Sequence, residues 1–161
     1  MADPTVYERN HRDNRAAHRS RPRRPRELVW KAFTDPEQLA AWFGPVGYHV
    51  PRDSVDVDIR PGGHQRMTMV PDDPSMPPGG PVDASIDEVV ELELIVGHED
   101  FEGEMAELFG AQRMTMRIEL HEEDGKTRLV LRQGPYSEDF AGNAREGWMS
   151  SFTKLDSLLA R

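Results

Sequence analysis

The sequence predicts an α+β domain in which an antiparallel sheet packs against one long C-terminal helix. Three observations carry this prediction. Short alternating apolar–polar runs fill the middle of the chain, turn signals separate them, and a single apolar face runs through the last twenty residues. A helix with one apolar face must bury it, and the only large partner available is the sheet.

The elements follow in order. Pro25 to Phe33 starts with proline at a first helical position, and Leu28, Val29, Ala32 and Phe33 make one stripe. Asp35, Pro36 and Gln38 form a helix start with a capping box, Leu39, Ala40, Trp42 and Phe43 follow, and Gly44-Pro45 ends the helix. Two short helices in a V are expected. Val55, Val57 and Ile59 then alternate with Ser54, Asp56 and Asp58. Gly62-Gly63 marks a turn, after which Gln65, Met67 and Met69 alternate with Arg66 and Thr68. Pro71 to Pro81 holds five prolines and two glycines in eleven residues and is expected to be an irregular loop. Val82 to Val90 and Leu92 to Val96 read as strands, as do Met114 to Leu120 and Thr127 to Gln133, the last two joined by the hairpin turn Glu123-Asp124-Gly125-Lys126. Asn143 with Glu146 suggests the cap of the final helix, whose Trp148, Phe152, Leu155 and Leu159 share one face. From Asn143 to Ala160 it would span on the order of 25 Å.

Composition narrows the possible functions. The chain of 161 residues fits one domain, with a polar, Arg-rich segment over 1–24 that includes the first strand and the main body over 25–161. There is no cysteine, which excludes disulfides, thiolate metal sites and cysteine nucleophiles. That fits a cytoplasmic location, and no stretch approaches the ~20 apolar residues of a membrane span. The net charge of -9 divides into +5 over residues 1–33 and -14 over the rest, because the first part holds eight Arg and one Lys against four acids. An acidic body argues against nucleic acid as a partner, and the arginines are expected to pair with that body or stay solvated.

The segment Pro25 to Leu39 (PRELVWKAFTDPEQL) followed by Trp42-Phe43-Gly44-Pro45 resembles the opening of the family of activators of the heat-shock protein 90 ATPase, within the START-like, or SRPBCC, superfamily. The resemblance continues in order through Asp58-Ile59-Arg60-Pro61-Gly62-Gly63, Lys126-Thr127-Arg128-Leu129, Gln133-Gly134-Pro135-Tyr136 and Gly147-Trp148. It implies a helix-grip fold like that of the birch-pollen allergen: a curved sheet around the final helix, two short helices after the first strand, and a cavity between sheet and helix. The fold does not fix the function, since this superfamily includes lipid carriers, hormone receptors, cyclases and co-chaperones. Two departures stand out. Ala16 to Arg24, where the family places its first strand, is polar, so that strand is expected to be short, shifted or covered by Thr5-Val6-Tyr7. The segment Gly97–Gln112 is longer than a plain strand connection.

The candidate ligand-binding residues follow from that cavity. Trp42, Trp148 and Phe152 are either core or pocket lining. Met67, Met69, Met114 and Met116 alternate along strands, and methionine adapts to irregular space or varied ligands. Phe101, Met105, Leu108 and Phe109 form a short amphipathic pattern, read as a lid or cavity wall, or else as a dimer contact. Arg60 either pairs with Asp58 or Asp56 or anchors an acidic ligand group. His64 and His98 are the candidate polar groups of the pocket. The six histidines lack metal-ligand spacing, so no metal site is expected, and neither a catalytic constellation nor a cofactor motif appears. Three functions remain in view: a non-enzymatic protein that binds a small hydrophobic ligand, with or without an acidic or carbonyl group, between sheet and final helix; a co-chaperone-like module that stimulates a heat-shock protein 90 ATPase through its surface; and a cyclase- or hydrolase-type enzyme using a pocket His or Arg.

Overall fold

In the computed structural model the described residues are 5–12 and 25–160. Eight strands form one antiparallel sheet: β1 (Thr5–Arg12), β2 (Tyr48–His49), β3 (Asp56–Asp58), β4 (His64–Pro71), β5 (Gly80–Val90), β6 (Leu94–Asp100), β7 (Arg113–Glu123) and β8 (Lys126–Gly134). Their spatial order is β1-β8-β7-β6-β5-β4-β2, with β3 also on β4. Four α-helices accompany them: α1 (Pro25–Thr34), α2 (Pro36–Trp42), α3 (Gly103–Phe109) and α4 (Glu138–Leu159). The sheet curls around α4 in the helix-grip arrangement.

The V of two helices is present. Asp35 caps α2 by accepting the backbone N–H of Glu37 at 2.8 Å and of Gln38 at 3.3 Å. The Gly62-Gly63 turn depends on its glycines. Gly62 has φ +83°, and a Cβ on Gly63 would lie 2.0 Å from the Asp58 carbonyl oxygen. The two glycines exchange backbone bonds with Ile86, which ties the turn to β5.

Two expectations need correction. The final helix is capped by Ser137, not Asn143; the Ser137 hydroxyl accepts the Phe140 N–H, and Asn143 lies inside a helix of 22 residues. Sequence periodicity missed this first turn because Phe140 is its one large apolar side chain. The strand expected at Leu92 instead begins at Leu94 and runs on to Asp100, into the segment read as an interruption. Leu92 itself is in a turn, with φ 68°. The first strand lies at Thr5–Arg12, where it pairs along its length with β8. The polar run Ala16 to Arg24 falls outside the described residues. Arg9 and Arg26 meet the acidic body, Arg9 at 3.2 Å from Asp156 and Arg26 at 3.9 Å from Glu122.

The core lies where α1, α2 and the C-terminal half of α4 meet the sheet. Val29, Leu39, Trp42, Met67, Leu129, Leu131, Phe152 and Leu155 are all fully buried there. Trp42 is its hub. Its ring packs edge-on against Phe33 at 5.0 Å, and its Nε1–H donates to the Ala32 carbonyl at 2.7 Å. Trp42→Ala is therefore expected to cost about 3–5 kcal/mol, read as a lowered urea midpoint at unchanged slope. Asp35→Ala is expected to cost about 1 kcal/mol by the same measurement.

Candidate functional site: the pocket under helix α4

The inner face of the sheet is set by the pairing register. Side chains directly opposite one another across neighbouring antiparallel strands point to the same face. The pairs Ile95↔Ile118 and Ile118↔Leu131 place these three on that face. One step along it lie Gly97, Met116 and Gln133, and a further step brings Glu99 opposite Met114. Gln65 stands on the same face, opposite Ala84. Toward Leu131 this surface is covered by α4 and the short helices. Toward Glu99 it is not.

The reason lies in α4. Its C-terminal half presents Phe152 and Leu155, both at 0 % exposure, whereas its N-terminal half presents Ala144 and Gly147. A Cβ built on Gly147 meets nothing within 4 Å. The small side chains leave a pocket of about 520 Å³ between the helix and the sheet. The far wall is α3, held by a chain of tilted and edge-on aromatic contacts: Phe101 to Phe109 at 4.5 Å, Phe109 to Phe140 at 4.6 Å and Phe140 to Tyr136 at 5.3 Å.

Of the expected site residues, Met69, His98, Phe101, Met105, Phe109, Met114, Met116 and Trp148 line this pocket. The other five do not. Trp42, Met67 and Phe152 are packed core at 2 % exposure or less. Arg60 is an exposed side chain paired with Asp58 at 2.7 Å, and His64 pairs with Asp56 at 2.9 Å. Both pairings follow from position: Arg60 stands in the turn after β3, and Asp58↔His64 closes the β3–β4 ladder.

His98 contributes to the wall from β6, but its ring belongs to the other sheet face. Its cross-strand neighbours Ser85 and Thr115 are exposed, and its Nδ1 lies 2.7 Å from Asp87. The inward polar residue of β6 is Glu99. A one-residue step along a strand exchanges its faces, so adjacent His98 and Glu99 point to opposite sides. Extending the β6 alternation through Ile95 and Gly97 reaches Glu99.

The missed polar groups are Gln65, Glu99, Gln133 and Tyr136. The Gln133 side-chain oxygen accepts the Trp148 Nε1–H at 2.6 Å and also the Tyr136 hydroxyl. Glu99 accepts the backbone N–H of Asp83 at 2.8 Å. Burial pushes the Glu99 carboxyl above its ordinary range; the Asp83 N–H opposes the shift and the Asp83 charge adds to it. Among the described residues no group of three or more His, Asp or Glu is placed to hold a metal ion.

A family model described as activator of Hsp90 ATPase homolog 1-like protein matches residues 23–160. The chain belongs to this family. Solved structures similar to it include a Chromobacterium violaceum protein at 22% identity, covering 100% of this chain and 99% of the other, with a TM-score of 0.73. A Nitrosomonas europaea protein is similar at 23% identity, covering 98% and 94%, with a TM-score of 0.71. An AHSA1 protein from Silicibacter pomeroyi is similar at 21% identity, covering 97% and 98%, with a TM-score of 0.68. At these identities the likeness shows the fold alone, the helix-grip arrangement. No curated protein matches. No helix among the described residues is long and apolar enough to cross a membrane.

Two measurements probe this site. Trp148 borders the pocket on one side and packs against Phe43 and Phe152 on the other, at 5.8 and 5.9 Å. Trp148→Ala should cost clearly less than Trp42→Ala, about 1–3 kcal/mol in urea denaturation. The second concerns pH. A carboxyl whose folded pKa lies above its unfolded value, 4.5, contributes fully below that value and loses its contribution as pH rises through the folded one. Glu99→Gln keeps an oxygen for the Asp83 N–H and removes the buried charge. It should raise Tm at pH 7 and above, by roughly 2–4 °C per kcal/mol recovered, with the gain vanishing below about pH 4.

Proposed function

We propose that this START-like domain binds a small, largely apolar ligand in the pocket between sheet and α4, and that binding rather than catalysis is its role. One observation carries the reading: α4 is fully packed at Phe152 and Leu155 but stands clear of the sheet at Ala144 and Gly147. A glycine inside a helix costs up to about 1 kcal/mol relative to alanine, and small residues here forgo the burial a leucine would provide. A volume of about 520 Å³ lies within the range of small-molecule sites. The large apolar side chains of the lining are methionine or aromatic, and the inner sheet face adds the polar groups Gln65, Glu99 and Gln133 that can orient a guest.

The family's description supports a second reading, a surface that engages a chaperone ATPase. Such a surface calls for a contiguous apolar patch. Among the described residues the large exposed apolar side chains are Val46, Met76, Val90, Met105 and Leu108, only five, drawn from four segments of the chain. Met105 and Leu108, both on α3, are the residues a dimer contact would use. An enzymatic reading needs an acid–base pair beside the pocket, whereas the His98–Asp87 pair sits on the opposite sheet face. The pocket reading has the stronger support.

The test combines titration and mass spectrometry. The neutral fluorophore N-phenyl-1-naphthylamine should bind the wild type with a blue-shifted emission. Native mass spectrometry of protein purified from its own host should find a small molecule that survives desalting. Gly147→Leu should fill the gap and improve helix propensity. It is expected to raise Tm while weakening fluorophore binding at least about tenfold. A Gly147→Leu protein that folds and binds the fluorophore as well as the wild type would sink the proposal.

A further inference from the structure

The ionisable residues that contribute to the pocket wall are Asp83, His98, Glu99 and Asp100. No lysine or arginine is among the lining residues. Three of the four have partners on the outer face. Asp83 pairs with Arg66 at 3.1 Å, Asp100 with Arg113 at 2.7 Å, and His98 with Asp87 at 2.7 Å. Glu99 differs. Its inward register places it beside Met114, and its one hydrogen bond among the described residues is the backbone N–H of Asp83.

That N–H is itself a product of the fold. The β5–β6 register runs from Val90↔Leu94 only as far as Ser85↔His98, so beyond this point the two strands no longer pair. Any side-chain acceptor at position 99 could satisfy the N–H, and a neutral amide would do so without the cost of burying a charge. Among the described residues no Lys or Arg pairs with Glu99, and a carboxyl without a cation nearby is an expensive choice for that role. Gln65, 5 % exposed on the same inner face, adds an amide at this end of the pocket.

Resting on the pocket reading, we propose that Glu99 anchors the ligand's head group, and that the pocket selects apolar molecules bearing a cationic amine over those bearing a carboxylate. An amine replaces the missing counter-charge, donates to the carboxyl oxygens, and can share the Gln65 amide oxygen. A fatty-acid carboxylate entering the same space meets a like charge and no compensating cation. The choice between the two head groups is made by charge, because the methionine and aromatic walls receive either alkyl chain equally.

The experiment compares two probes of equal length, dodecylamine and dodecanoate, below their micelle concentrations at pH 7.5. Each displaces N-phenyl-1-naphthylamine from the wild type and from Glu99→Gln, and the ratio of inhibition constants is taken within each protein, so that any change in fluorophore affinity cancels. The amine should win by about tenfold or more in the wild type, and the ratio should fall to within about threefold in Glu99→Gln. Calorimetric titration of dodecylamine into Gly147→Leu, which keeps the same net charge, should lose most of its heat. Equal inhibition by the two probes in the wild type overturns the inference, as does a ratio unchanged in Glu99→Gln. Undiminished amine binding to Gly147→Leu also overturns it, since the amine then sits on the acidic surface. If the fluorophore fails to bind the wild type, the pocket reading falls and this inference with it. If the fluorophore binds but the ratio is near one, only the inference falls.

Discussion

The arrangement depends on how unevenly one helix meets one sheet. At its C-terminal half α4 drives Phe152 and Leu155 into the core formed by α1, α2 and β8, and β1 adds to the hold by placing the Arg9 guanidinium 5.8 Å above the Phe152 ring. With that end fixed, the N-terminal half need not touch the sheet to remain in place. The pocket is the space left by a helix anchored at one end; its sheet wall continues strands already engaged in the core, and α3, which buries no residue of its own, closes the far side. A chain of rings from Phe33 through Trp42 and Phe43 to Trp148 links the two regions.

The polar groups of the pocket follow from the same unevenness. Deep in the core each strand contributes an apolar side chain to the inner face, as at Ile95, Ile118 and Leu131. Where helix and sheet part, the same face carries Gln65, Glu99 and Gln133. Near the helix these groups are matched internally, with Gln133 engaged by Trp148 and Tyr136. Glu99, farthest from the packed end, is matched only by a backbone N–H. Polarity thus increases along the pocket away from the core, and an amphiphilic guest would find its orientation set by that gradient.

Much of this was legible from residue patterns. Strand alternation, the Asp35 cap, the Gly62-Gly63 turn and the apolar face of the last helix each reflect local physics, and each appears in the structure. The motif resemblance supplied the grip and the idea of a space beneath the helix. Membership of the pocket was harder to read, because alternation fixes which residues share a face but not how far a helix stands above it. Trp42 and Phe152 looked like plausible lining for this reason and proved to be core. Glu99 was missed because the strand was ended at Val96 and its phase was not carried forward. Its neighbour His98 was chosen on residue type alone. Gly147 carries no alternation signal at all, because the space it leaves open is defined by a side chain the sequence does not contain.

The wall helix α3 has a tie whose effects reach beyond the wall. The Ser137 N–H that bonds the Phe109 carbonyl at 2.8 Å belongs to the residue capping α4, and the Phe109 ring rests on Phe140 in the first turn of α4. Moving α3 outward therefore detaches the start of the long helix as well. An outward movement of α3 would thus be coupled to fraying of that first turn, and any exchange past this wall would loosen the helix start with it.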